Sequence, residues 1–170
     1  RRVMAQTLPE HLQEVTASYL QKPGKRLRPL LLLLCCEALG GKAEDALPAA
    51  AAVELFHNWT LLHDDVIDHD TLRRGQETGH ICGQRLGREK WQLATEAAAD
   101  YGQALAILAG DVLQGAVTHL FTRLDTVPAE LRIALLARLS GKLNPELLAG
   151  EQQDVELSCR PVTEICEAEI

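Results

Sequence analysis

Alanine and leucine dominate this chain, β-branched residues are scattered, and Gly and Pro fall at intervals that match helix ends. The pattern leaves little room for a sheet. It predicts helices over residues 8–20, 29–39, 46–70, 99–123, 128–140 and 144–156. A last helix is expected after Pro161-Val162-Thr163, with Thr163 as its cap. The least regular segment is QETGHICGQRLGREKWQLATEAA, residues 76–98, Gly-rich and polar in its first half and weakly helical in its second. It is expected to be a mobile loop leading into a helix. The fold class is all-α. No repeat, low-complexity tract or linker divides the chain, and 170 residues, 46% of them hydrophobic, can bury one sizeable core. The expectation is one domain, residues 1–170, or part of a larger one.

Charge and cysteine usage exclude several function classes. The net charge is −7, and the seventeen Lys and Arg form no long basic tract, so a nucleic-acid backbone has no concentrated positive face to bind. The longest apolar run, LRPLLLLLCCEALGG, is broken by Arg28 and Pro29 at one end and by Glu37 and a glycine pair at the other. It is too short for a transmembrane segment and lacks the flanks of a secretory signal. Five cysteines (Cys35, Cys36, Cys82, Cys159, Cys166) form no CxxC pair, which favours free thiols in a reducing, cytoplasmic setting. Cys35 and Cys36 read as buried apolar residues.

The stretch LLHDDVIDHDTLRRG, residues 61–75, concentrates opposite charges directly after an apolar run. On a helix turning about 100° per residue, Asp64, Asp65 and Asp68 share one arc, and His57 falls near the same stripe two turns earlier. Three carboxylates this close repel one another. A divalent cation removes the conflict, and oxygen-only ligation by few protein groups suits Mg²⁺, which keeps waters and is completed by phosphate oxygens. Arg73 and Arg74 supply the complementary charge before what reads as a helix-ending Gly75. Guanidinium forks bind phosphate, and two in tandem can serve two groups. A second basic cluster, Lys25-Arg26-Leu27-Arg28, stands before the apolar run. Two basic clusters imply two anionic substrates.

Four segments in order, PGKRLRP (23–29), ELFHNWTLLHDDVIDHDTLRRG (54–75), AILAGDVL (106–113) and GEQQD (150–154), resemble successive motifs of the trans-isoprenyl diphosphate synthases, the polyprenyl synthetase family. That resemblance implies an isoprenoid-synthase helical bundle acting as a prenyltransferase. Asp64 and Asp68, with Asp65 adjacent, would hold Mg²⁺ against an allylic diphosphate (dimethylallyl, geranyl or farnesyl), and Arg73 would bind the same diphosphate. Lys25, Arg28, His57 and Arg74 would bind isopentenyl diphosphate. The reaction so implied ionises the allylic diphosphate and needs no Ser-His-Asp or Cys-His nucleophile; none is visible in the sequence. Phe56, Trp59 and Thr60 would line the pocket that limits chain length. The bulk of Phe56 and Trp59 points to a product of C20 or shorter. The resemblance further implies a homodimer, with apolar surface on a helix such as 99–123 at its interface. Asp111 reads as structural, and Trp91 has no evident role.

Departures from the family pattern shape the expectation. A second aspartate-rich motif and a Lys-Thr pair do not follow Asp154, Glu151 stands where the family usually has Gln, and 76–98 is longer than the usual link. These residues are therefore expected to be the N-terminal half of a longer synthase, inactive alone. The alternative is a half-length, non-catalytic homologue or partner subunit. A remote alternative is an HD-type metal phosphohydrolase built on His63 and Asp64, whose extra upstream ligand would have to be His11 or His57.

Overall fold

The computed structural model describes residues 8–21 and 24–166. They divide into two compact units, one up to Thr126 and one from Val127 onward. The first contains α1 (Glu10–Gln21), α2 (Leu27–Ala38), α3 (Ala43–Ile67), α4 (Gly79–Trp91) and α5 (Thr95–Thr122), with a minimal hairpin, β1 (Leu72–Arg73) and β2 (Gln76–Glu77), between α3 and α4. The all-α class holds with this one short exception.

The centre is α3 lying along α5. Ala50, Ala52, Trp59 and Leu62 of α3 are buried, as are Ala98, Leu105, Ala106, Ala109, Leu113 and Val117 of α5. The alanines at the contact let the two backbones approach closely. Among the described residues α5 is also the one helix long and apolar enough, by length and composition, to cross a bilayer. Its packing against α3 and α4 accounts for the same composition as a core helix.

Residues 76–98 are not the mobile loop expected. After the hairpin they form α4, packed along α5. The glycines that suggested irregularity recur every four residues, at 79, 83 and 87, and so share one face. A Cβ on Gly83 would come 2.9 Å from the α-carbon of Gly102 on α5, and one on Gly87 would come 2.7 Å from the Tyr101 ring. Glycine is used here for close helix contact rather than for a turn.

Helix α3 ends at Ile67, three residues before the expected end at 70, yet Asp68 keeps a helical backbone and its N–H reaches Asp64 O at 2.8 Å. His69 then adopts φ 58°, and the Asp70 N–H returns to Asp65 O at 3.0 Å, a Schellman closure. Gly75 does not end a helix. Arg74 and Gly75, at φ 57° and 75°, are the two central residues of the hairpin turn.

Helix α2 packs on α3 with no fully buried residue, so Cys35 is exposed and Cys36 half-buried rather than in the core. In the second unit, α6 (Ala129–Arg138) passes through a π-helical turn at Leu139–Leu143 into α7 (Asn144–Ser158), and helical dihedrals persist at both junctions. Pro145 has no N–H to return to Gly141, and widening the turn accommodates it. A 3₁₀ turn covers Val162–Glu164, and the part of the expected last helix after Cys166 lies outside the described residues.

Candidate active site

The C-terminal turn of α3 and the hairpin after it bring Asp64, Asp65 and Arg73 together. Asp65 is fully buried: it accepts from the Tyr19 hydroxyl on α1 at one oxygen and from Arg73 Nε at the other. Arg73 Nη2 extends to Asp64 Oδ2 at 2.7 Å and lies 3.6 Å from Asp70. Burial works against the Arg73 charge, but its bond to Asp65 and the neighbouring carboxylates hold its pKa above the ordinary value. Burial also pushes the Tyr19 phenol up, and the Asp65 carboxylate adds to this, so the hydroxyl remains a donor.

The three aspartates therefore do not share one face. Asp65 points into the protein, Asp64 is partly exposed and Asp68 is exposed. Burial, reinforced by Asp68 and Asp65, holds the Asp64 carboxyl above its ordinary pKa despite Arg73. Such a group gains from a cation. Among the described residues no three His, Cys, Asp or Glu side chains converge as a ready metal cage. Two outward carboxylates one turn apart do fit Mg²⁺, which needs only one or two of them when phosphate oxygens complete its shell.

Arg74 turns elsewhere. It lines an open cleft of about 690 Å³ with Lys25, Arg26 and Arg28 at the start of α2 and with Glu54 and His57 on α3. Arg26 takes a left-handed backbone, pairs with Glu54 and donates to Leu20 O at 3.0 Å. Asn58 donates to the same Glu54 carboxylate at 3.1 Å. Burial, then the Arg28 charge, lowers the His57 pKa, and Arg74 and Arg73 add to the effect while Glu54 opposes it. Cationic side chains and the N-terminus of α2 converge on a space suited to an anion.

This arrangement has known counterparts. A sequence model described as polyprenyl synthetase matches residues 9–167. The chain belongs to the polyprenyl synthetase family. Among its relatives, a geranylgeranyl diphosphate synthase of Methanosarcina mazei is 36% identical over 154 residues, covering 91% of this chain and 41% of the relative. A farnesyl diphosphate synthase of Geobacillus stearothermophilus is 37% identical over 153 residues, 87% of this chain and 46% of that one. The solved structure of a geranylgeranyl pyrophosphate synthetase from Geoglobus acetivorans superposes with a TM-score of 0.80 at 32% identity, over 99% of this chain and 48% of that chain. The chain thus spans less than half the length of these relatives.

Within this polyprenyl synthetase fold, Trp59 is buried and meets Phe56 and His63 edge-on, at ring separations of 5.3 and 6.0 Å. Its indole N–H is buried with no acceptor among the described residues. Thr60 donates to the His57 carbonyl at 2.8 Å and is spent on its own helix. His63 bonds the Ile107 carbonyl at 3.1 Å and occupies the space left by Gly110, which is the reason AILAGD needs its glycine. His11, one of the two upstream histidines a phosphohydrolase reading would need, pairs instead with the Tyr101 hydroxyl at 2.8 Å.

Tyr19, Glu54 and Gly24 are not among the candidate site residues read from the sequence. Tyr19 lies 46 residues from Asp65, and nothing local distinguishes it from other apolar positions of α1. Gly24 sits under the Arg74 guanidinium. For Glu54 a signal exists: it stands one turn before Asn58, on the side of α3 that carries His57.

Proposed function

We propose that this chain is the N-terminal part of a prenyltransferase, a single polyprenyl synthetase domain continued in the full-length protein, that condenses isopentenyl diphosphate with an allylic diphosphate. The product is a short, all-trans prenyl diphosphate of C20 or fewer. The observation that carries this reading is the divergence of two adjacent arginines: Arg73 lies against Asp64 and Asp65, whereas Arg74 lies in the cleft with Lys25, Arg28 and His57. Arg73 ends the first strand and Arg74 opens the turn at φ 57°, so the two side chains are aimed apart and one hairpin can serve two diphosphates.

In this scheme Asp64 and Asp68 would hold Mg²⁺, which supplies charge neutralisation for the departing diphosphate. Arg73 binds that diphosphate and stabilises the charge it gains on departure. Lys25, Arg28, His57 and Arg74 orient isopentenyl diphosphate so that its double bond faces the cationic carbon. No side-chain nucleophile takes part. A homodimer is part of the proposal, with Ile107 and Leu108, exposed on α5, available to an interface, and so is a cytoplasmic setting, on cysteine usage. The second reading is a non-catalytic partner subunit of a synthase.

The test is kinetic. In the full-length protein, Lys25→Ala or Arg28→Ala should raise KM for isopentenyl diphosphate about tenfold with little change for the allylic substrate, and Arg73→Ala should do the reverse. Equal effects on both substrates would abolish the two-site reading, and an inactive full-length protein would favour the partner subunit.

A further inference from the structure

We propose that Tyr19 is a positioning residue for the allylic diphosphate, acting through the buried Asp65 carboxylate to set the guanidinium of Arg73. The inference rests on the reading of Arg73 as a diphosphate ligand and adds a residue from α1, outside the aspartate-rich stretch. Tyr19 is 2% exposed and Asp65 is 0% exposed. A carboxylate taken fully out of water is tolerated only when its oxygens are satisfied. Here Tyr19 takes Oδ2 and Arg73 Nε takes Oδ1, which leaves Arg73 Nη2 directed at Asp64.

The division of oxygens is what fixes the arginine. With a donor on Oδ2, Asp65 meets Arg73 through one oxygen only, so the outer edge of the guanidinium stays turned toward Asp64 and the solvent side. Without that hydroxyl, Oδ2 becomes open to the same guanidinium, and a bidentate fork would draw Arg73 inward. The phenol oxygen also accepts the Gly79 N–H at 3.2 Å, so α1, the end of α3 and the start of α4 meet at one atom. Thr78 closes the hairpin base beside it, donating its hydroxyl to Asp70 O at 2.6 Å and its N–H to Thr71 O at 3.1 Å. The hairpin carrying Arg73 is therefore anchored at its base, and its arginine is aimed from below.

A merely structural tyrosine and a positioning one predict different binding. Calorimetric titration of the full-length protein in Mg²⁺ would use the non-ionisable S-thiolo analogue of geranyl diphosphate and, separately, isopentenyl diphosphate. Tyr19→Phe keeps the ring and removes only the hydroxyl. It should weaken the analogue by about tenfold and leave isopentenyl diphosphate unchanged. Asp65→Asn, which keeps Tyr19, should give the same selective loss. Tyr19→Phe should add nothing to Arg73→Gln, since both act through one guanidinium. Equal weakening of both ligands, or none, in Tyr19→Phe while Arg73→Gln weakens the analogue would overturn the role of Tyr19. An Arg73→Gln variant that binds the analogue normally would instead overturn the reading of Arg73, and the Tyr19 proposal with it.

Discussion

The guanidinium of Arg74 lies over the bare α-carbon of Gly24: a Cβ at residue 24 would come within 2.6 Å of Nη1. The obstacle is the tip of a flexible side chain, so Gly24→Ala should displace Arg74 rather than unfold the protein. Thermal stability is expected to change by no more than about 0.5 kcal/mol. Affinity for isopentenyl diphosphate should drop by about fivefold, because one charge-assisted contact is misplaced. Loss of stability without loss of affinity would mean that Gly24 serves the backbone and not Arg74.

The α4–α5 contact makes a paired prediction about stability. A Cβ on Gly102 would meet the His80 carbonyl and come 2.7 Å from the Gln84 nitrogen, both backbone atoms that cannot swing aside. Gly102→Ala should cost about 1–3 kcal/mol in urea unfolding. Gly115 is on the same helix, and no neighbouring atom of the described residues lies within 4 Å of its Cβ position. Gly115→Ala should stabilise by up to about 1 kcal/mol through helix propensity. Similar effects of the two substitutions would contradict the close packing of α4 on α5.

Much of this is legible in residue patterns, and the exceptions have physical causes. Helix order comes from Ala and Leu with Gly and Pro between them. Segment 76–98 reads as a loop when glycine propensity is weighed above its spacing of four, which marks a helix face. For the aspartates, helical phase puts Asp64 and Asp68 within about 40° of each other and Asp65 about 100° from Asp64. Phase alone does not say which side faces the core. The buried series Asn58, Leu62, Asp65 answers it, since spacings of four and three put Asp65 in register with the core stripe. The separation of Arg73 from Arg74 depends on a two-residue turn with positive φ at Arg74, which a helical reading of RRG conceals.

Burial and the surrounding cations give His57 a pH signature. Its pKa is lowered from 6.5 in the folded protein, so on acidification the unfolded chain takes up the proton first. The stability this residue contributes is present above 6.5 and is lost as pH falls below that value through the lowered pKa of the folded state. His57→Asn should flatten the pH dependence of urea midpoints there. Diphosphate in the cleft offsets the charges of Arg28 and Arg74 and should return the pKa upward. Binding of isopentenyl diphosphate near pH 6.5 should therefore take up a proton, read from binding enthalpies in buffers of different ionisation heat. Proton release, or none, would remove His57 from the site.

The aspartates should separate by readout. Binding of the S-thiolo allylic analogue should require Mg²⁺ and be lost in excess chelator. Asp64→Ala and Asp68→Ala should weaken it strongly while stability changes little. Asp65→Asn leaves Tyr19 and Arg73 facing a weaker acceptor in a dry site, and should cost about 2–3 kcal/mol of stability as well. Equal analogue affinity with and without chelator would exclude the outward carboxylates as metal ligands.

Under the proposed function, product length should turn on Trp59. Its indole packs against Phe56 and His63, and its N–H lacks an acceptor among the described residues, a burden that a phenylalanine or leucine filling the same space would not carry. Packing alone is thus a poor reason for tryptophan here. Under the proposed function, the residue five positions before Asp64 would meet the chain growing away from the diphosphate. Trp59→Ala removes a large apolar group at a cost of about 3–5 kcal/mol, and a hydrocarbon tail can occupy the void. In the full-length enzyme the dominant product should lengthen by at least one five-carbon unit, and Phe56→Ala should add to the effect. Chromatography of the dephosphorylated products made from geranyl or farnesyl diphosphate measures this directly. An unchanged distribution from a folded, active Trp59→Ala variant would return Trp59 to the core and withdraw the C20 limit.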